Sequence, residues 1–209
     1  MDSRGIYRLA NTMDYYQIIA ERFQGTLESV AMSVDQLAGP IGQASELLTG
    51  SLLQDRKIIV CGSGVDAALA QLFTTCLMDS LDHERPALPA LNISGDGASL
   101  SAIGESEGNE ARYSRQVQAM GQPGDTLLLI NSGEAGPALA AALRAALERD
   151  MQVALLTRSA DRLLPPAMPT NGATVTVEAT VPSRALEIHT MILLALCQLI
   201  EFGLFGPRE

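Results

Sequence analysis

The sequence predicts a doubly wound α/β fold, a parallel sheet covered by helices on both faces. Three observations carry that expectation. Short apolar runs alternate with stretches of helical periodicity, the middle runs are hydrophobic almost without interruption, and the first run breaks on two glycines just before a helical pattern begins. A strand flanked by polar residues on alternate positions would face water on one side. These do not.

The segment 7–54 comes first, with Ile18, Ile19, Phe23, Leu27, Val30 and Leu37 at helical spacing and an interruption at Gly39-Pro40, so two helices are expected ahead of the sheet. A helix placed before the first strand cannot complete a βαβ unit. Its apolar stripe needs another surface, and a second copy of the chain is the expected source. Strands are then predicted at 57–61, 88–93, 126–131, 152–157 and 174–178, rich in Ile, Val and Leu. Helices are predicted at 67–81, at 99–120 with a break around 105–109, at 137–149 opening on Pro137, and at 183–204 with Ser183 as its N-cap. The resulting division is 1–55 as N-terminal helices, part of an oligomer interface, and 56–209 as the α/β domain.

With 47% hydrophobic residues in 209, one substantial core is affordable in a single domain. Asp and Glu number 24 against 14 Lys and Arg, a net charge of −10, which disfavours direct binding to nucleic acid or to an anionic membrane. Cys61, Cys76 and Cys197 stand in apolar stretches at spacings that fit neither a zinc site nor a disulfide framework, so reduced thiols are expected. The first two dozen residues are interspersed with charges and lack the apolar core of a signal peptide, and the apolar run 191–200 is too short to cross a bilayer. A cytoplasmic protein without cofactor or metal is the expectation.

The chemistry concentrates in Ile58-Ile59-Val60-Cys61-Gly62-Ser63-Gly64, where a buried strand enters a helix through a tight turn that aims backbone N–H groups at one point. Such a turn commonly holds phosphate. Here Asp66 follows it, and the turn after the third strand carries Asn131-Ser132-Gly133-Glu134. Two carboxylates a few ångströms from a phosphate dianion cost roughly a few kcal/mol at surface-like dielectric. The simpler roles of these residues are a glycine-dependent connection at Gly62, Ser63 and Gly64, and helix capping by Asp66 and Glu134.

Several segments together resemble the sugar isomerase (SIS) domain proteins of the phosphoheptose isomerase branch, and within it the DnaA initiator-associating group. They are residues 57–64, Glu84-Arg85-Pro86-Ala87-Leu88-Pro89-Ala90, Leu100-Ser101-Ala102-Ile103, residues 113–125 beginning Tyr113-Ser114-Arg115-Gln116, and Arg184-Ala185-Leu186-Glu187-Ile188-His189; Leu204-Phe205 near the end matches a Leu-Phe pair of the initiator-associating group. The resemblance implies a three-layer α/β/α sandwich, a flavodoxin-like fold around a five-stranded parallel sheet, with preceding helices that build a homotetramer.

What the resemblance implies for catalysis is less complete. The family's isomerases use hydroxyl-rich loops after the first and third strands. This chain has Gly62-Ser63-Gly64-Val65-Asp66 in the first and a single hydroxyl, Ser132, in the second. Leu72 and Thr75 stand where the family places a His and a Glu, and Leu186 stands where it has Gln beside His189. His189 is therefore the one catalytic candidate. Gly62, Ser63, Gly64, Asp66, Asn131, Ser132 and Glu134 form the candidate ligand cleft, and Leu204 and Phe205 the candidate partner contact. The expected function is a non-catalytic homotetrameric adaptor with a degenerate phosphosugar site, its partner the replication initiator DnaA. The alternatives are an aldose–ketose isomerase acting on sedoheptulose 7-phosphate and a sensor that binds a non-phosphorylated or cationic carbohydrate derivative; a sugar phosphate or sugar derivative is the small-molecule partner these readings imply.

Overall fold

A computed structural model describes residues 15–80 and 82–207. The start of the predicted N-terminal segment, from residue 7, and the end of the helix predicted at 67–81 lie outside the described residues. Five strands, β1 (Ile58–Gly62), β2 (Ala90–Asn92), β3 (Thr126–Asn131), β4 (Gln152–Arg158) and β5 (Ala173–Val177), form one all-parallel sheet in the order β2-β1-β3-β4-β5. The helices are α1 (Tyr15–Leu53), α2 (Asp66–Met78), α3 (Gly97–Glu107), α4 (Ala111–Met120), α5 (Pro137–Glu148) and α6 (Pro182–Phe205).

Side-chain alternation in β1 explains why both faces of the sheet are covered. Ile58 and Val60 point into one core with Leu48 of α1, Phe73 of α2 and Leu193 of α6, while Ile59 and Cys61 point into a second core with Tyr113 of α4 and Leu143 of α5. Every residue of β1 and β3 is buried, as continuous apolar runs require. Buried charges tie the ends of neighbouring elements together. Asp125 is fully buried ahead of β3 and accepts hydrogen bonds from the Lys57 and Gln122 amides and from Lys57 Nζ at 2.6 Å, fixing the start of β1 against β3. Arg85 ties the C-terminal end of α2 to α6, donating to the carbonyls of Leu77 and Cys76 and to the Glu201 carboxylate.

Three sequence expectations are corrected. Residues 15–53 form one helix, not two, and it runs through Gly39 and Pro40. Its side chains from Leu37 to Leu52 pack into the core on both sides of the proline, and burial of that stripe outweighs the lost hydrogen bond. Ser183 does not cap α6; the helix begins one residue earlier at Pro182, and Ser183 Oγ accepts a hydrogen bond from Arg22 of α1. The apolar run near the C-terminus belongs to a 24-residue helix that is long and apolar enough to cross a bilayer by length and composition, but Ile188, Ile192, Leu193, Leu196 and Ile200 are spent on the core against α1 and α2.

Phe73 is the largest fully buried side chain and sits among α1, α2 and α6. Phe73→Ala is expected to lower unfolding free energy by about 3–5 kcal/mol, read as a shifted urea midpoint at unchanged slope.

Candidate functional site

The strand order reverses between β1 and β3, so the loops leaving these two strands diverge and open a crevice at the C-terminal edge of the sheet. Gly62 to Asp66 form one wall and Asn131 to Gly136 the other. The first wall depends on glycine. A Cβ at Gly62 would collide with the Asp66 backbone carbonyl, and Gly64 has φ +62°. Both polar groups of Gly62 are also engaged, its N–H by Ser94 Oγ at 2.9 Å and its carbonyl by the Tyr113 hydroxyl at 3.2 Å.

Asp66 is the first residue of α2, and the capping role expected of it is not what the structure shows. Its Oδ2 reaches across the crevice and accepts the Ser132 N–H at 2.9 Å, joining the loop after β1 to the loop after β3. The side chain is 3% exposed, and Oδ1 is buried with no hydrogen-bond partner among the described residues. Burial raises the carboxyl above its ordinary range, against the opposing pull of the Ser132 amide and hydroxyl. Glu134 is exposed and caps nothing, because Gly136 occupies the N-cap position of α5. The two acids thus behave oppositely. One is drawn inside and the other faces water.

The remaining predicted residues separate in the same way. Asn131 is buried and committed, its Nδ2 donating to Asp161 Oδ2 at 2.8 Å. Asp161 in turn accepts from Thr157 Oγ1 and from the Leu163 and Leu164 amides, so this carboxylate holds the loop after β4 in place. Ser63 borders the crevice and its hydroxyl accepts from Arg112 Nη2 at 3.0 Å. Arg112, on α4, went unnoticed in the sequence. Its signal would have been a basic residue beside Tyr113 on a helix whose neighbours Tyr113, Gln116 and Val117 are buried.

His189 is fully buried in α6, with Nε2 3.3 Å from the Thr157 carbonyl and Nδ1 unpartnered among the described residues. Burial lowers its pKa to about 4, so the ring is neutral at pH 7. Being fully buried, it presents no surface to the crevice. Leu72 packs against the α1/α6 core and Thr75 is exposed, accepting from Gln71 at 3.1 Å. Leu204 is partly buried against the core, whereas Phe205 is 45% exposed. Among the described residues no group of three or more His, Cys, Asp or Glu side chains is placed to hold a metal ion.

Comparison with known proteins gives this geometry a context. The family profile described as SIS domain matches residues 22–158, from within α1 to the end of β4. A phosphoheptose isomerase of Azoarcus sp. (strain BH72) is 34% identical over 197 residues, covering 94% of this chain and 100% of the relative. One from Shewanella loihica is 35% identical over 192 residues, covering 91% and 96%. The solved structure of a phosphoheptose isomerase from Francisella tularensis superposes with a TM-score of 0.84 at 26% identity, covering 90% of this chain and 99% of that one. The phosphoheptose isomerase of Neisseria gonorrhoeae gives a TM-score of 0.83 at 30% identity, covering 89% and 98%. These relatives overturn the expected non-catalytic adaptor: the similarity runs over nearly the whole chain and is to phosphosugar isomerases. The closeness to the DnaA initiator-associating group does not emerge from them.

Because His189 must gain a proton on unfolding, the native state binds fewer protons than the unfolded chain between pH 6.5 and about 4. Stability contributed by the neutral ring is present above pH 6.5 and falls away as pH drops through that window, by on the order of 3 kcal/mol. Asp66, shifted upward, works with the opposite sign. The measurement is therefore a difference: His189→Leu should flatten the fall in urea-derived stability between pH 6.5 and 4 relative to wild type, and an unchanged slope would disprove the assignment.

Proposed function

This chain belongs to the SIS domain family, and from that membership we propose that it interconverts the ketose and aldose forms of a phosphorylated seven-carbon sugar, sedoheptulose 7-phosphate, in the crevice between β1 and β3. The observation that carries the reading is Asp66, a carboxylate buried at the switch point with one oxygen anchored on Ser132 and the other unpartnered among the described residues. Aldose–ketose isomerisation asks for one group that can take a proton from carbon and return it to the neighbouring carbon. A carboxylate raised by burial is suited to both halves of that exchange, because its proton affinity lies nearer the working pH than that of an exposed acid.

The steps follow from the substrate's chemistry. In the ketose-to-aldose direction Asp66 Oδ1 takes a proton from C1, the electron pair forms the C1–C2 double bond, and the carbonyl oxygen on C2 becomes a hydroxyl by taking a proton from water, which the O1 proton released in the next step replaces. Return of the proton from Asp66 to C2, with loss of the O1 proton, completes the aldose. The Ser132 N–H fixes Oδ2 and leaves Oδ1 as the oxygen without a hydrogen-bond partner among the described residues. Leu72 and Thr75 supply no competing acid or base.

The oligomer belongs to the same proposal. Tyr15, Tyr16, Ile18, Ile19, Phe23 and Leu27 of α1 are exposed, in an apolar band too long for a solvent-facing helix, and a second copy of the chain is the surface that would cover it. Phe23→Asp should shift the sedimentation velocity profile toward monomer, with the far-ultraviolet dichroism unchanged.

Activity is tested by incubating the purified chain with sedoheptulose 7-phosphate and following the aldose by NMR. Wild type should turn over, and Asp66→Asn should lower kcat by about 10²-fold or more while leaving substrate binding measurable. Wild-type turnover retained by Asp66→Asn would move the proton transfer to another group.

A further inference from the structure

Asp66 leaves the ligand's phosphate in need of another seat. The Ser132 amide, which a phosphate between these loops would otherwise meet, already donates to the Asp66 carboxylate. On the far side of Ser63 lies a cavity of about 190 Å³ bordered by Asn109, Glu110, Arg112 and the opening turn of α5 from Gly136 to Leu139. Two features of its wall lack partners. Arg112 Nε is buried with no acceptor, and Arg112 forms no ion pair with a carboxylate among the described residues; its contacts are Ser63 Oγ and the ring of Tyr113, 4.8 Å from the guanidinium carbon to the centroid. In the helix turn, Pro137 has no N–H and the Leu139 and Ala140 amides both point to the Gly136 carbonyl, so the Ala138 amide has no acceptor among the described residues.

We infer that Arg112 and the first turn of α5 hold the phosphate monoester of the ligand in this cavity, displaced from the Ser132 amide that Asp66 occupies. The inference deepens the proposed function and rests on its choice of a phosphorylated substrate. A guanidinium offers a planar pair of N–H donors matched to phosphate oxygens, and α5, twelve residues long, turns the positive end of its dipole to the same space. The acid that lines the rim, Glu110, is exposed at the N-cap position of α4 and makes no capping hydrogen bond, so solvent screens it. Ser63, the hydroxyl already bonded to Arg112, is placed to orient the guanidinium toward the cavity.

Calorimetric titration of the full chain with inorganic phosphate and with sedoheptulose 7-phosphate tests this. Arg112→Gln should weaken both by about tenfold or more, Arg112→Lys should keep part of the affinity, and unphosphorylated sedoheptulose should be indifferent to either change. Melting temperatures of the two variants, expected close to wild type because Arg112 is only half-buried, guard against a folding defect. Three outcomes overturn the inference: no phosphate binding by wild type, unchanged phosphate affinity in Arg112→Gln, or a strong gain in phosphate affinity in Asp66→Asn together with indifference to Arg112→Gln, which would seat the anion on Ser132. Phosphate binding that depends on Arg112 without turnover of sedoheptulose 7-phosphate would sink the isomerase reading and leave the phosphate seat standing.

Discussion

A single hydrogen bond organises this crevice: the Asp66 carboxylate on the Ser132 amide, across the point where the sheet changes direction. In a doubly wound fold the two loops at this point are free to diverge, and in doing so they expose amides that need an acceptor. Here the acceptor is built in. The turn that delivers it can exist only because position 62 has no side chain, since any Cβ would meet the Asp66 carbonyl. Placing a carboxylate at the first residue of α2 then satisfies the helix dipole and the opposite loop at once. The cost is burial of a charge with one oxygen unpartnered among the described residues, and burial raises its proton affinity. Structural closure and the raised proton affinity of Asp66 have one cause.

The central sheet was legible in the sequence because β1, β3 and β4 are covered on both faces, and such strands must be apolar throughout. The predicted third strand, 126–131, coincides with β3. The break expected between 105 and 109 corresponds to the gap between α3 and α4, where Gly108 adopts φ +92°. Gly39-Pro40 misled because local propensity was weighed without the tertiary contact: α1 lies along α6 and the sheet, and its packing overrides one proline. Ser183 misled for a related reason, since a hydroxyl near a helix start caps only if the backbone turns at that residue, and here it turns at Val181.

The function was less legible, and the reason is three-dimensional. Sequence reading put Asp66 and Glu134 together as two negative charges facing one ligand. The fold gives Asp66 an amide partner and sends Glu134 to water, so the repulsion counted against a phosphate is largely absent from the cavity itself. The missing counter-charge was Arg112, which lies 49 residues from the serine it touches. No local pattern joins them. Only packing of α4 beside the β1 loop brings a guanidinium to the place where the expected hydroxyls have gone.

The same point settles an apparent contradiction between the chain's overall charge and an anionic ligand. A net charge of −10 is spread over the whole surface, and solvent screens exposed charges over roughly 8 Å at physiological ionic strength. A phosphate seated there as proposed would meet a different balance: a half-buried guanidinium, a helix opening whose Ala138 amide has no acceptor among the described residues, and one screened acid at the rim. Contact electrostatics in a partly desolvated pocket outweigh the distant field, so the global charge slows the approach of an anion without deciding whether it binds. Acidic composition rightly argues against a large polyanion, which must lie across many surface carboxylates. It carries little weight against a single phosphate that touches one cation.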